Sequence, residues 1–115
     1  MKKQLLFLVL NKIGVLNKLL MDLNTNGIKG ATVMNSVGMA GALASAEEGM
    51  SFAPFKMMFS GIAEDNKTIL MVIDEDQIPI VQKVITELVG DLSNPNTAFM
   101  FAVPITFVDG ITCMK

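Results

Sequence analysis

The chain reads twice as strand, helix, strand, and a long stretch between the halves belongs to neither. The first half is an apolar run at 5–10, a helical segment at 13–23 closed by Asn26-Gly27, and a short run at 31–37. The second is a run at 68–73, a helical segment at 78–89 closed by Gly90, and a final run at 98–103. Two such units in 115 residues predict an α+β, ferredoxin-like βαββαβ sandwich: a four-stranded antiparallel sheet with two helices on one face. The other sheet face is then bare. Phe7 and Val9 are expected on it, and with them Met71 and Ile73.

A period-two strand that is apolar at every position cannot hide both faces inside one subunit. At 115 residues the chain buries roughly two thirds of its unfolded surface, enough for one core, so 1–115 reads as a single domain. Its 51% hydrophobic content against 17% charged points to burial between subunits. Membrane insertion is the competing use of such residues. A span needs ~18 uninterrupted apolar residues, and the longest run, 98–108, stops at Asp109. Lys2 and Lys3 before residues 5–10 imitate a secretion signal, but the apolar core is short and the first small-x-small site, Ala44-Ser45-Ala46, is far downstream, so a strand is expected. A single cysteine, Cys113, allows no intrachain disulfide and fits a reducing cytoplasm.

The missing residue types exclude chemistry. Without His, Arg, Tyr or Trp there is no histidine general base, no His-rich metal site and no Ser-His-Asp triad. A net charge of −2, with lysine as the only cation, gives neither a basic stripe nor an arginine-supported stacking platform, which argues against nucleic acid. Phosphate can be held only by lysine or backbone amides.

In the first helical segment Ile13, Leu16, Leu19, Leu20 and Leu23 fall on one face, with Asn11 as a candidate N-cap. Asn26-Gly27 supplies a left-handed stop, after which Ile28 packs back. The second segment turns Ile78, Val81, Ile85 and Leu88 inward, and Asp74, Glu75 and Asp76 cluster at its start, where carboxylates complement the helix dipole. Pro79 belongs in the first turn, which favours Asp76 or Glu75 as the cap over Asp74.

Between about 38 and 67 the periodicity dissolves into glycines, small residues and the patch Phe52, Phe55, Met57, Met58 and Phe59, with Pro54 among them. A loop of this length in a compact domain is commonly functional, and this patch is too apolar for a solvated linker, so it is expected to dock on its own assembly, a ligand or a protein target. Asn35, Ser36, Gly38 and Gly41 form a strand end running into glycines, which permits close backbone approach to an anion and equally a plain turn. Asn94-Pro95-Asn96-Thr97 is first a turn and second a polar rim for a ligand.

The opening Met1-Lys2-Lys3 strand, Gly27-Ile28-Lys29-Gly30-Ala31-Thr32-Val33, the long loop, the Asp74-Glu75-Asp76-Gln77 helix start and the Phe99-Met100-Phe101-Ala102-Val103 strand together resemble the nitrogen-regulatory P-II superfamily, in order and over almost the whole chain. The resemblance implies a ferredoxin-like subunit in a homotrimer, with sheets lining the centre, loops projecting from one end and effector sites in the clefts between subunits. It places Thr32 near an adenine and Gly38 or Gly41 at the loop base. Where the family has Gly-x-Gly-Lys entering the last strand, this chain has Asn94-Pro95-Asn96-Thr97-Ala98; where the family has arginines after that strand, this chain has Thr106, Phe107, Val108, Asp109 and Ile111. The phosphate clamp is absent, and so is the loop tyrosine some members carry for uridylylation.

The expectation is therefore a divergent, non-catalytic cytoplasmic homotrimer that binds a small effector, an adenine compound or a cyclic dinucleotide, through Thr32, Asn35, Ser36, Gly38, Gly41 and Thr97, and signals to a protein target through its loop. No cofactor is assigned. A metal-handling trimer of the cation-tolerance type is the first alternative, with Asp74, Glu75, Asp76 or Glu47, Glu48 as oxygen ligands, though one cysteine and no histidine argue against soft metals. A small ferredoxin-like enzyme, limited to carboxylates, lysines, hydroxyls and Cys113, is the second.

Overall fold

Four strands and two helices carry the described residues of the computed structural model, which are 2–39, 66–95 and 97–110. They run β1 (Lys3–Leu10), a 3-10 turn (Ile13–Val15), α1 (Leu16–Thr25), β2 (Thr32–Ser36), β3 (Asn66–Asp74), a second 3-10 turn (Glu75–Gln77), α2 (Ile78–Val89) and β4 (Ala98–Pro104). The sheet order is β2-β3-β1-β4 and each neighbouring pair is antiparallel, as the ferredoxin-like sandwich requires. The run at 5–10 lies inside β1. Asn66 and Lys67, which the sequence pattern places at the end of the connecting segment, belong to β3.

Alternation along β1 divides the molecule. Leu6, Leu8 and Leu10 are fully buried and pack with Ile69, Met71 and Ile73 of β3 beneath Leu19 and Leu23 of α1 and Val81, Val84, Ile85 and Val89 of α2. The register pairs Leu6 with Met71 and Phe7 with Leu70. Met71 and Ile73 are therefore core residues under the helices, and Leu70 and Val72 take the places expected for them beside Phe7 and Val9. Residues 69–73 are apolar at every position, so the phase of the strand is set by its partner and not by its own pattern.

Helix ends are set by local chemistry. Gly27, at φ +92, lets α1 close in a Schellman motif: Ile28 N–H donates to Leu23 O at 2.9 Å and Gly27 N–H to Asn24 O at 3.1 Å, while Ile28 is buried in the core. Asn11 does not cap α1. A 3-10 turn precedes the helix, with Lys12 at its start, and Asn11 N–H donates instead to Thr97 O at 2.9 Å. At the second helical segment the cap is Asp74, not Glu75 or Asp76: its side chain accepts from Gln77 N–H, and Gln77 Oε1 accepts from Asp74 N–H at 2.8 Å. The intervening 3-10 turn moves the cap back along the chain while leaving Pro79 in the first turn of α2. Asp74 Oδ1 also lies 2.7 Å from Lys3 Nζ, an ion pair out of hydrogen-bond alignment that ties β1 to β3.

Candidate functional site

Two surfaces follow from this frame. The sheet face away from the helices carries Leu5, Phe7 and Val9 of β1, Leu70 and Val72 of β3, and Phe99, Phe101 and Val103 of β4, grouped there by register. Phe7 and Phe101 are cross-strand partners stacked at 4.7 Å with 11° between their planes, and Phe99 adjoins Phe101 at 6.4 Å. Phe99 and Phe101 remain 54% and 48% exposed despite this stacking. The face is thus an ordered aromatic platform.

The second surface is a polar row across one end of the same sheet, where β2 stops and β3 starts. Ser36 Oγ donates to the Asn66 side-chain oxygen and lies 2.7 Å from Thr68 Oγ1. Asn66 Nδ2 reaches Asn11 Oδ1 at 3.5 Å, and the Asn11 and Lys12 backbone N–H groups both donate to Thr97 O. Thr97 is buried, and its hydroxyl donates to Asn94 O at 2.9 Å, closing the 94–97 turn. That turn is led by Asp91, whose carboxylate accepts from Ser93 N–H at 3.0 Å and Ser93 Oγ at 2.9 Å. The backbone bond first and the hydroxyl second hold Asp91 below its usual range.

The structure brings Ser36 and Thr97 to the same end of the sheet, linked through Asn66 and Asn11. Asn35 sits on the opposite face of β2, where its amide oxygen accepts from Lys67 Nζ. Thr32 is exposed on the platform side, paired with Leu70 and roughly 13 Å along the strand from Ser36. Gly38 follows β2. Gly41, Phe52, Phe55, Met57, Met58 and Phe59 lie outside the described residues, as do Glu47 and Glu48. Asn11, Asn66 and Thr68 are members of the row that sequence reasoning missed; nothing local to Asn66 announces a partner 30 positions away.

Chemically the row offers hydroxyls and amides. Among the described residues, the side chains beside the Ser36 hydroxyl are the Asn66 amide and the Thr68 hydroxyl, neither of which is a general base. Asp74 is engaged with Lys3 and Gln77, and among the described residues no group of three carboxylate or thiol side chains is placed to hold a metal. Also among the described residues, no helix is long and apolar enough to cross a membrane.

Strand order, two helices on one face and a long connection between β2 and β3 give this chain the fold found in solved structures of PII and PII-like nitrogen regulatory proteins. Among solved structures it is similar to PII of Arabidopsis thaliana bound to citrate, at 16% identity and a TM-score of 0.59 over 90% of this chain and 78% of that one. It is similar also to a PII-like protein of Thiomonas intermedia K12 bound to ADP, AMP and bicarbonate, at 13% identity and 0.57 over 96% and 98%. A functionally unknown protein of Pediococcus pentosaceus matches at 14% identity and 0.64 over 96% and 99%. No family model and no curated protein matches the chain.

Proposed function

We propose that the chain is a non-catalytic, PII-like regulatory protein of the cytoplasm that assembles as a homotrimer, binds a small effector in the clefts between subunits and passes the bound state to a protein target through the segment between β2 and β3. The observation that carries this reading is the exposed aromatic platform on a PII-like fold. Phe7, Phe99 and Phe101 form an apolar surface larger than a lone subunit has reason to keep in water, and three such sheets turned inward cover one another.

The effector rim in this reading is Thr32, Asn35, Ser36, Gly38, Gly41 and Thr97, with Phe52, Phe55, Met57, Met58 and Phe59 on the segment that meets the target. The ligands in the solved PII-like structures, ADP and AMP in one and citrate in another, support a search among adenine compounds and small anions. Cyclic dinucleotides remain in that search because they too present adenine or guanine rings with few charges. The absence of arginine makes a triphosphate the poorest of these candidates.

A thermal-shift screen of the whole chain tests the proposal, since a ligand that binds only the native state raises the melting temperature by mass action. AMP, ADP, ATP, cyclic dinucleotides, citrate, 2-oxoglutarate and divalent ions form the panel. A shift with an adenine compound or cyclic dinucleotide, lost in Thr32→Ala or Ser36→Ala, is the expected outcome. A shift with divalent ions alone replaces this reading with the metal-handling one.

A further inference from the structure

At the end of the sheet opposite Ser36 and Thr97, a solvent-open groove of about 550 Å³ lies between the start of β1 and the chain leaving β4. Its apolar lining is Pro104, Ile105, Phe107 and Val108; its polar lining includes Lys2, Gln4 and Glu75. The backbone around it is tied down, with Ile105 N–H donating to Lys3 O at 3.0 Å and Glu75 N–H to Lys2 O at 2.9 Å. The volume is within the range of small-molecule sites.

Two features separate this groove from an incidental crevice. Gln4 is only 9% exposed and lines the groove, yet its side-chain amide makes no hydrogen bond among the described residues. Although the residue as a whole is nearly buried, its amide atoms keep contact with solvent through the open groove, so a ligand carboxylate there would take the place of water on an amide that the described residues leave unpaired. Lys2 is the second feature. Its neighbour Lys3 is neutralised by Asp74 at 2.7 Å, whereas the Lys2 ammonium has no ion-pair partner among the described residues.

We propose that this groove binds a small monocarboxylate with an apolar body, its carboxylate accepting hydrogen bonds from the Lys2 ammonium and the Gln4 amide NH2 while the body packs on Pro104, Ile105 and Phe107. A carboxylate has two oxygens for two such donors, and a charge-assisted bond to Lys2 is stronger than a neutral one. Glu75, also on the groove, sets the charge limit. One ligand charge meets Lys2, but a second or third would face the Glu75 carboxylate, so citrate-like and phosphate-rich anions are disfavoured.

Calorimetry on the full chain at low salt, with 3-phenylpropionate as the probe, tests this. The probe should bind, with 3-phenylpropionamide and citrate each about tenfold weaker or worse. Lys2→Met, on an exposed side chain, and Gln4→Leu, which keeps the volume and removes the amide, should each weaken the probe about tenfold. Ser36→Ala, at the other end of the sheet, should leave it unchanged, so loss of the adenine site and loss of this one are told apart. No heat with about 10 mM probe, equal binding of the neutral amide, tighter binding of citrate, or full affinity in Lys2→Met each overturns the proposal. Because Lys2→Met lies outside the core, the test survives even if Gln4→Leu fails to fold.

Discussion

Replacing Phe101 with glutamate tests the assembly at the point where the platform is most ordered. Phe101 is stacked on Phe7 yet 48% exposed, and a phenylalanine presents roughly 200 Å², so about 100 Å² of ring awaits cover in each subunit. At ~25 cal/mol/Å² that is about 2.5 kcal/mol per subunit, or roughly 7 kcal/mol over a trimer, before the cost of association. A carboxylate in its place removes this gain and adds a desolvation penalty of several kcal/mol per buried charge. Sedimentation velocity at micromolar concentration should show a trimer for the native chain and a monomer for Phe101→Glu. The monomer should retain its fold, because the helix-covered core of Leu6, Leu8, Met71 and Ile85 does not include Phe101. Gln82→Glu, the same charge placed on the exposed side of α2, is the control and should remain trimeric. A native monomer, or a Phe101→Glu that sediments with the native chain, refutes the reasoning from platform to trimer.

Asp74→Ala removes a capping box and an interstrand ion pair together, and should destabilise the fold by about 1–2 kcal/mol in urea titration with an unchanged m-value; a loss below about 0.3 kcal/mol would contradict the cap assignment. Leu8→Ala opens a cavity in a fully buried position between sheet and helices and should cost about 2–5 kcal/mol by the same measurement. Since Ser93 lowers the folded pKa of Asp91, the stabilisation it brings is present above the ordinary carboxylate pKa and is lost as pH falls through the lower folded value. Ser93→Ala deletes the hydroxyl but keeps the backbone N–H, so the Asp91 midpoint in an NMR pH titration should rise part of the way toward its ordinary value, and an unmoved midpoint would contradict that cause. ATP should bind weakly, because no cation lies between Pro104 and Ile111; micromolar affinity by calorimetry that disappears in Thr32→Ala would show that the chain has another way to hold a triphosphate.

The elements were legible because their signals are local. The one-faced spacing of Leu16, Leu19 and Leu23, the glycine stop at Gly27 and the apolar run 98–103 each report on a few neighbouring residues, and each forms as read. What could not be read depends on partners. The sequence points Met71 and Ile73 to the bare face, and the structure buries them under the helices, because a strand apolar on both sides carries no phase of its own until β1 pairs with it. The Asp74 cap is not legible in the sequence because a 3-10 turn ahead of α2 is not visible in a pattern of period 3.6. In the candidate site, Ser36 and Thr97 are legible as polar ends of strands, but the side chains that join them, Asn66 and Asn11, come from elements distant in sequence and read locally as a loop residue and a helix cap.

The clasp between Ser36 and Asn66 also bears on how such a chain can change over time. It pins both feet of the segment 37–65 side by side on adjoining strands, so the sheet sees that segment only as a closed loop. Loop-closure entropy varies with the logarithm of length, and doubling or halving a loop alters it by only about 0.6 kcal/mol. The frame is therefore nearly indifferent to what is carried there. Insertions, deletions or wholesale exchange of 37–65 with another sequence should leave β2 and β3 paired, which makes the segment a natural graft site for building chimeras that keep this sheet.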